Sequence, residues 1–152
     1  MKVLPAWMFR RVLNIWGPFR GAGIVVTELA PDWSYVRVVL KQRLLNRNYV
    51  GTHFGGSLFA MTDPFYMLML MHRLGAGYRV WDRAASIDFL APGRGTVGAE
   101  FRLDNPTIEG IRSAAAAGEP VFPEFDVEVR DAAGAVVARV HKQIYVRRKL
   151  ML

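Results

Sequence analysis

The segment from Gly56 to Leu74 is apolar on nearly every face of a helix, and no other feature restricts the fold as strongly. A helix that is apolar all round has to be buried. Pro64 lies inside the segment and lacks a backbone N–H, so it predicts a kink that releases a carbonyl group one turn earlier. The remainder of the chain must therefore cover this helix on all sides.

Most of the remaining sequence can supply that cover, because its apolar residues alternate with a period of two. The pattern predicts strands at residues 23–29, 35–41, 80–90, 96–103, 122–130 and 135–148. Strands with one apolar face need another layer against that face. We therefore predict an α+β fold in which an antiparallel sheet of about six strands is wrapped around one long central helix.

Two shorter helices complete the predicted elements. Residues 5–16 have the pattern of a short amphipathic helix that ends at Gly17–Pro18. Asn105 followed by Pro106 is a typical helix start, with a capping residue before a proline in the first helical position. Gly118 is then expected to close that helix.

Composition excludes several kinds of chemistry. The 152 residues contain no cysteine, which rules out disulfides, cysteine-based zinc sites and a thiol nucleophile. The three histidines, His53, His72 and His141, do not have the spacing of metal ligands, so no metal or other cofactor is expected. The first apolar stretch is interrupted by Pro5 and by Arg10–Arg11, which predicts no signal peptide and favours a cytoplasmic location.

The net charge of +7 favours an anionic partner over a neutral one. A spread of solubilising surface charge is the simpler interpretation, because the basic residues are dispersed apart from a C-terminal run at 147–149. No recognition helix is evident, so we do not expect nucleic acid to be the partner. The most apolar run, residues 64–71, is far shorter than the roughly 20 residues that cross a bilayer, so no membrane association is expected.

The segment from Asn48 to Asp63 combines residues that could carry chemistry. Gly55 and Gly56 open a helix, where free N–H groups and the positive end of the helix dipole converge, and glycine allows a substrate carbonyl to approach closely. Such amides form an oxyanion hole for attack on a thioester, and each donor contributes roughly 3 kcal/mol. Asp63 is an ionisable group in an apolar helix, which indicates pairing or function.

The spacing within this segment predicts a site shared between subunits. Gly56 and Asp63 are about 10 Å apart along a helix axis, yet the amide and the carboxylate must each approach the reacting carbon to about 3 Å. Two antiparallel helices related by a two-fold axis would bring the amides of one subunit to Asp63 of the other. Asp63 would act as nucleophile or as general base for water, and Asn48 would position the water or the carbonyl.

The same segment resembles the loop-and-helix motif of phenylacetyl-CoA-type hotdog thioesterases, which reads Asn, five residues, His-Gly-Gly, six residues and an acidic residue. Asn48, Gly55, Gly56 and Asp63 occupy the corresponding positions. The wider sequence, with Trp-Asp-Arg-Ala-Ala-Ser-Ile at 81–87 and Pro-Gly-Arg at 92–94, is similar to the hotdog branch catalogued as a domain of unknown function or as tetrameric acyl-CoA thioesterases. Phe54 stands where the motif has histidine, so any role of that side chain is lost here.

The resemblance implies an acyl-CoA thioesterase that acts as a homodimer or a dimer of dimers. It also implies a single hotdog domain over residues 1–152, with an N-terminal helix at 1–19 and a core at 20–148. Apolar residues of the central helix would line an acyl channel, and an arginine would bind the phosphates of CoA. The residues expected to bind substrate are Phe54, Ser57, Phe59, Met67 and Arg94.

Two other functions stay open at this level. A non-catalytic acyl-CoA-binding or regulatory protein would have the same pocket without turnover. A hotdog hydratase or dehydratase would pair a loop histidine with a helix carboxylate, as His53 and Asp63 superficially do, although ten residues is a short separation for that pair. Asp82 and Ser86 lie near the strand that faces the pocket in relatives, and no role is assigned to either.

Overall fold

The computed structural model describes residues 4–149, so the ends of the expected domain, 1–3 and 150–152, lie outside the described residues. The elements in chain order are α1 (Ala6–Ile15), α2 (Gly17–Ala22), β1 (Ile24–Leu29), β2 (Tyr35–Lys41), a 3₁₀ turn (Leu44–Asn46), α3 (Gly55–Ala60), α4 (Phe65–Leu74), β3 (Tyr78–Phe89), β4 (Thr96–Arg102), α5 (Asn105–Ala114), β5 (Glu124–Arg130) and β6 (Val136–Arg148).

The six strands found within residues 4–149 form one sheet in the order β1-β2-β4-β5-β6-β3, and each neighbouring pair is antiparallel. This confirms the predicted α+β class and sheet. The strands β1 and β3 form the two edges. The register of β3 on β6 shifts between Asp82 and Ala84, so one extra residue, Arg83, bulges out of the ladder.

The inward face of the sheet packs against α3 and α4 and forms the hydrophobic core. On β2 the buried residues alternate as Val36, Val38 and Leu40, and all three are fully buried. The Phe65 ring of α4 lies 4.8 Å from the Phe101 ring of β4. Each fully buried side chain of this size contributes about 1.5–3 kcal/mol, which explains why the alternating pattern determines the face of each strand.

The central helix is interrupted more strongly than the sequence predicts. Instead of one kinked helix, α3 and α4 are separated by a turn at residues 61–64, because Pro64 cannot donate the hydrogen bond that would continue the helix. Within the turn the Thr62 hydroxyl donates to the carbonyl of Phe59 at 2.8 Å. The turn rotates Asp63 outward, so its side chain is 63% exposed in the single chain and is not hidden in the helix. No helix in the described part of the chain is long and apolar enough to span a membrane.

The predicted helix at 5–16 that ends at Gly17–Pro18 is confirmed by α1, and a second short helix, α2, follows, with Pro18 in a position where its missing N–H is not needed. Both predicted ends of α5 were wrong. In α5 the cap is Asp104 and not Asn105, since the Asp104 carboxylate accepts a hydrogen bond from the Thr107 N–H at 2.8 Å. This helix ends at Ala114, before the predicted Gly118.

The two sheet edges differ in their protection. Helix α1 covers β1, where the Asn14 side chain accepts from the Val26 N–H at 2.7 Å and donates to the Val26 carbonyl at 3.0 Å. No segment within residues 4–149 pairs with the outer edge of β3, which is 12 residues long and mostly exposed. A long open edge of this kind invites pairing with another strand.

Candidate active site

The loop before α3 is organised by Asn48. Its side-chain amide donates to the Thr52 hydroxyl at 2.8 Å and to the His53 carbonyl at 3.2 Å, and its side-chain oxygen accepts from the Thr52 N–H at 2.9 Å. The backbone of Asn48 also donates to the Thr52 carbonyl at 2.8 Å. These contacts place Asn48 as the residue that shapes the loop, with both ends of its side chain engaged.

His53 is buried beneath this loop, whereas the neighbouring Phe54 is 61% exposed. The His53 Nε2 atom lies 2.7 Å from the Gly95 carbonyl and must be the donor, because a carbonyl only accepts. Its Nδ1 atom is buried without a partner in the described chain. This imidazole is held as part of the scaffold, which does not favour the hydratase alternative.

Helix α3 begins beneath two aromatic rings. A Cβ atom on Gly55 would lie 2.9 Å from Cζ of Phe89, and one on Gly56 would clash with Cε1 of Phe54. Within residues 4–149, the N–H groups of Gly55 and Gly56 have no hydrogen-bond acceptor, as expected for the first turn of a helix. Glycine is therefore what allows two free amides and two aromatic rings to share this space.

Gly55 lines a cleft of about 500 Å³ between the 48–58 segment and the chain that follows β3, whereas Gly56 is outside its lining. Arg94 reaches across its rim and donates to the Gly51 carbonyl at 3.3 Å. The residues lining the cleft are Asn48, Val50, Thr52, His53, Gly55, Leu58, Phe89, Leu90, Ala91, Pro92, Gly93 and Arg94. Of the residues that the sequence singles out for the site, the cleft brings together Asn48, Gly55 and Arg94.

Asp63 lies away from this cleft and belongs to a second group. Lys142 of β6 places its Nζ atom 2.7 Å from Oδ1 of Asp82, 2.8 Å from the Asp63 carbonyl and 3.3 Å from Oδ1 of Asp63. The contact with Asp82 is an ion pair without an aligned hydrogen bond. Burial raises the pKa of Asp82 above its ordinary value, the contact with Lys142 opposes that change, and the nearby Asp63 adds to it.

Lys142 was missed at the sequence level, although a signal was present. The alternation of β6 puts Val140 and Ile144 on the inward face, so residue 142 between them must also point inward. A lysine at such a position is unusual, since lysine is almost never fully buried unless it is paired. Its two carboxylate partners lie 79 and 60 residues away in sequence and could not be identified from spacing.

The other four residues that we expect to bind substrate, the exposed Phe54 among them, lie outside the cleft lining. Ser57, Phe59 and Met67 are half-buried, and the last two pack against the hydrophobic core. Their predicted contact with an acyl group stays a prediction.

The order of the strands and the helical layer inside the sheet confirm the predicted hotdog fold. The chain belongs to the family described as "Domain of unknown function (DUF4442)", which matches residues 6–146. No protein among curated sequences matches the chain.

Solved structures show the same fold at low sequence identity. A Pseudomonas aeruginosa protein of unknown function, PA5026, described as a probable thioesterase, is 20% identical with a TM-score of 0.85, over 95% of this chain and 97% of that one. The Haemophilus influenzae thioesterase HI1161 is 14% identical with a TM-score of 0.69, over 99% and 95%. The E. coli PaaI protein, from the phenylacetic acid degradation operon, is 17% identical with a TM-score of 0.63, over 93% and 91%.

Proposed function

We propose that the protein hydrolyses the thioester of an acyl-CoA at a site shared between two subunits. The observation that carries this proposal is the position of the two halves of the site along one open edge strand. The free amides of α3 lie beside Phe89, near the end of β3, and the Asp63 carboxylate is tied through Lys142 to Asp82, near its start. Within one chain these halves are separated by about 20 Å of strand.

Pairing of β3 with a second copy would close this gap. Residues that oppose each other in an antiparallel pair point to the same face, and Asp82 and Phe89 both point inward, opposite Ile144 and Ala138 of β6. With Arg83 bulged out, a two-fold axis through Ser86 puts Asp82 opposite the partner's Phe89. Asp82 of each subunit would then lie about 5 Å from the partner's Phe89, the residue beside which the α3 amides of that subunit lie. The dimer would therefore contain two sites.

The exposed surface of β3 supports a second copy as the occupant of its edge. Trp81 and Phe89 are 45% and 57% exposed, and the small residues Ala84, Ala85 and Ser86 at the centre of the strand allow another backbone to approach. On the outward face, Trp81 stacks on Tyr145 at 3.8 Å. This exposed aromatic surface is where we place the contact between dimers in a dimer of dimers.

The chemistry follows from what each half supplies. The amides of Gly55 and Gly56 would bind the thioester oxygen and stabilise the negative charge that develops on it, with about 3 kcal/mol from each donor. Asp63 would either attack the carbonyl carbon, giving an anhydride that water then cleaves, or remove a proton from the attacking water. Both routes release CoA as the thiol and the acyl group as the acid. Asn48 would act by shaping the loop around the carbonyl.

The charge distribution favours CoA as the carrier of the acyl group. Arg94 lies at the cleft rim, where a phosphate could replace its long contact with the Gly51 carbonyl. Among residues 4–149, a second cavity of about 200 Å³ is lined by four cations, namely Arg79, Arg147, Arg148 and Lys149. Guanidinium groups bind phosphate oxygens with paired hydrogen bonds.

The test is release of free thiol from a panel of short, long, branched and aromatic acyl-CoAs, for the wild type, Asp63→Ala and a control, Glu109→Ala. Glu109 is a well-exposed acid on α5, far along the chain from both halves of the site. We expect the Asp63 variant to lose at least about 10²-fold in kcat/KM, as for removal of a nucleophile or general base, and the control to keep it. Equal thiol release by the Asp63 variant and the wild type would refute the role of Asp63. Tight binding of acyl-CoA without turnover by the wild type would favour a non-catalytic binding protein.

A further inference from the structure

Lys142 has no place in the chemistry proposed above, yet its position is unusual. Its side chain is fully buried on the inward face of β6, between Val140 and Ile144. Removing an ammonium group from water is strongly unfavourable unless other groups replace the water. A lysine at the centre of an apolar strand face therefore needs a structural or functional reason.

The contacts of Lys142 supply that reason. An ammonium group has three N–H donors, and three oxygen atoms lie within 3.3 Å of Nζ. One belongs to Asp82 on β3, and the other two are the carbonyl and a carboxylate oxygen of Asp63. Within residues 4–149, Asp63 and Asp82 are the only charged groups in contact with this ammonium.

These contacts tie the turn between α3 and α4 to the edge strand. The turn exists because Pro64 interrupts the helix, so the backbone of Asp63 lies outside both α3 and α4. The side chain of Asp63 is 63% exposed and is not fixed by packing around it. Lys142 holds both the backbone and the side chain of that residue. Because the same ammonium also holds Asp82, the acid is fixed relative to the strand whose edge is proposed to carry the partner subunit.

We infer that Lys142 is a positioning residue of the active site, whose buried ammonium group orients the Asp63 carboxylate toward the β3 edge. The inference rests on the proposed thioesterase function and adds to it a residue that does not touch the substrate. Loss of the ammonium group should affect the chemical step more than substrate binding, since displacement of a reacting group by about 1 Å can lower a rate about 10²-fold.

The experiment replaces the buried ion pair with apolar side chains in the full-length protein, as Lys142→Met together with Asp82→Leu. The single Lys142→Met change would leave Asp82 without its cation and could unfold the chain, whereas replacement of both partners by apolar groups is often neutral for stability. Ile144→Met is the matched control, because it changes the next inward position of the same strand and conserves volume approximately. All three proteins would be compared by circular dichroism, thiol release, and hydrogen exchange of the 61–63 amides.

We expect the double variant to be folded, to lose about 10²-fold in kcat with KM within about threefold of the wild type, and to exchange the 61–63 amides faster. The control should match the wild type in all three measurements. A folded double variant with wild-type kcat would overturn the inference and leave Lys142 as a packing residue. A wild type that releases no thiol would instead refute the proposed function. In that case the exchange of the 61–63 amides, which does not depend on turnover, still decides whether Lys142 holds the turn.

Discussion

Replacement of Ser86 by cysteine tests the proposed subunit contact at the two-fold axis. The chain has no cysteine of its own, so an introduced thiol can form a disulfide only with its copy in another subunit. Directly opposed residues of antiparallel strands have Cα atoms about 4.5–5.5 Å apart. This distance lies within the range of about 4.4–6.8 Å that a disulfide accepts.

Asp88 provides a matched control on the same outward face of the same strand, and both side chains are exposed. With the axis at Ser86, Asp88 and its copy are four residue steps apart along the strand, or about 13 Å at 3.3 Å per residue. A disulfide cannot span that distance without movement of the backbone. We therefore expect Ser86→Cys to cross-link and Asp88→Cys to remain uncross-linked under the same mild oxidation.

The assay is non-reducing gel electrophoresis over a time course, with sedimentation of the reduced proteins to measure their oligomeric state. The Ser86 variant should become a covalent dimer almost completely, and a reducing agent should reverse the change. If Asp88→Cys cross-links as fast as Ser86→Cys, the proposed register is wrong. If the reduced protein sediments as a monomer at micromolar concentration, the shared site itself is refuted.

Four other predictions concern stability and substrate binding. Lys142→Met leaves the partly buried Asp82 without its 2.7 Å cation and should cost about 3 kcal/mol, or about 6–12 °C in Tm, whereas Asp63→Asn, at an exposed carboxylate, should cost less than about 1 kcal/mol in the same thermal melts. Burial raises the pKa of Asp82 above 3.8, so the folded state binds its proton more tightly than the unfolded state does. The contribution of Asp82 to the free energy of unfolding therefore falls as pH rises from 3.8 through the folded pKa. Thermal melts of Asp82→Asn at several pH values should lack that slope. Gly23→Ala should be strongly destabilising in urea titrations, because φ is +86° and the new Cβ would lie 2.8 Å from a backbone carbonyl. The control Gly21→Ala has open space around the new Cβ and should change the free energy of unfolding by no more than about 1 kcal/mol. Arg94→Gln should raise KM about tenfold for acyl-CoA but not for the same acyl group on pantetheine, which lacks the nucleotide phosphates, and an equal KM effect on both would refute the phosphate contact.

Local sequence patterns were enough to predict the class of fold and the helix start that carries one half of the proposed site. Its period of two placed the strands, and the apolar segment from Gly56 to Leu74 required a buried helical layer inside the sheet, because both patterns reflect burial along a single element. The paired glycines at the start of α3 were also evident, since the signal for a helix N-terminus is local. The predicted role of Asp63 as an acid presented by the central helix stays a prediction.

Which side chains meet could not be predicted from the sequence and became evident in the folded chain. Pro64 predicted an interruption of the helix. The length of that interruption depended on which groups could hold the 61–64 turn, and the group that holds this turn is the ammonium of Lys142 on the last strand. Asp82 joins the same group because β3 pairs with β6 in a register that includes one bulged residue. Contacts between strands distant in sequence depend on register and strand order, which no local pattern encodes, and for that reason the Asp63–Lys142–Asp82 group and the open β3 edge were visible only in the folded chain.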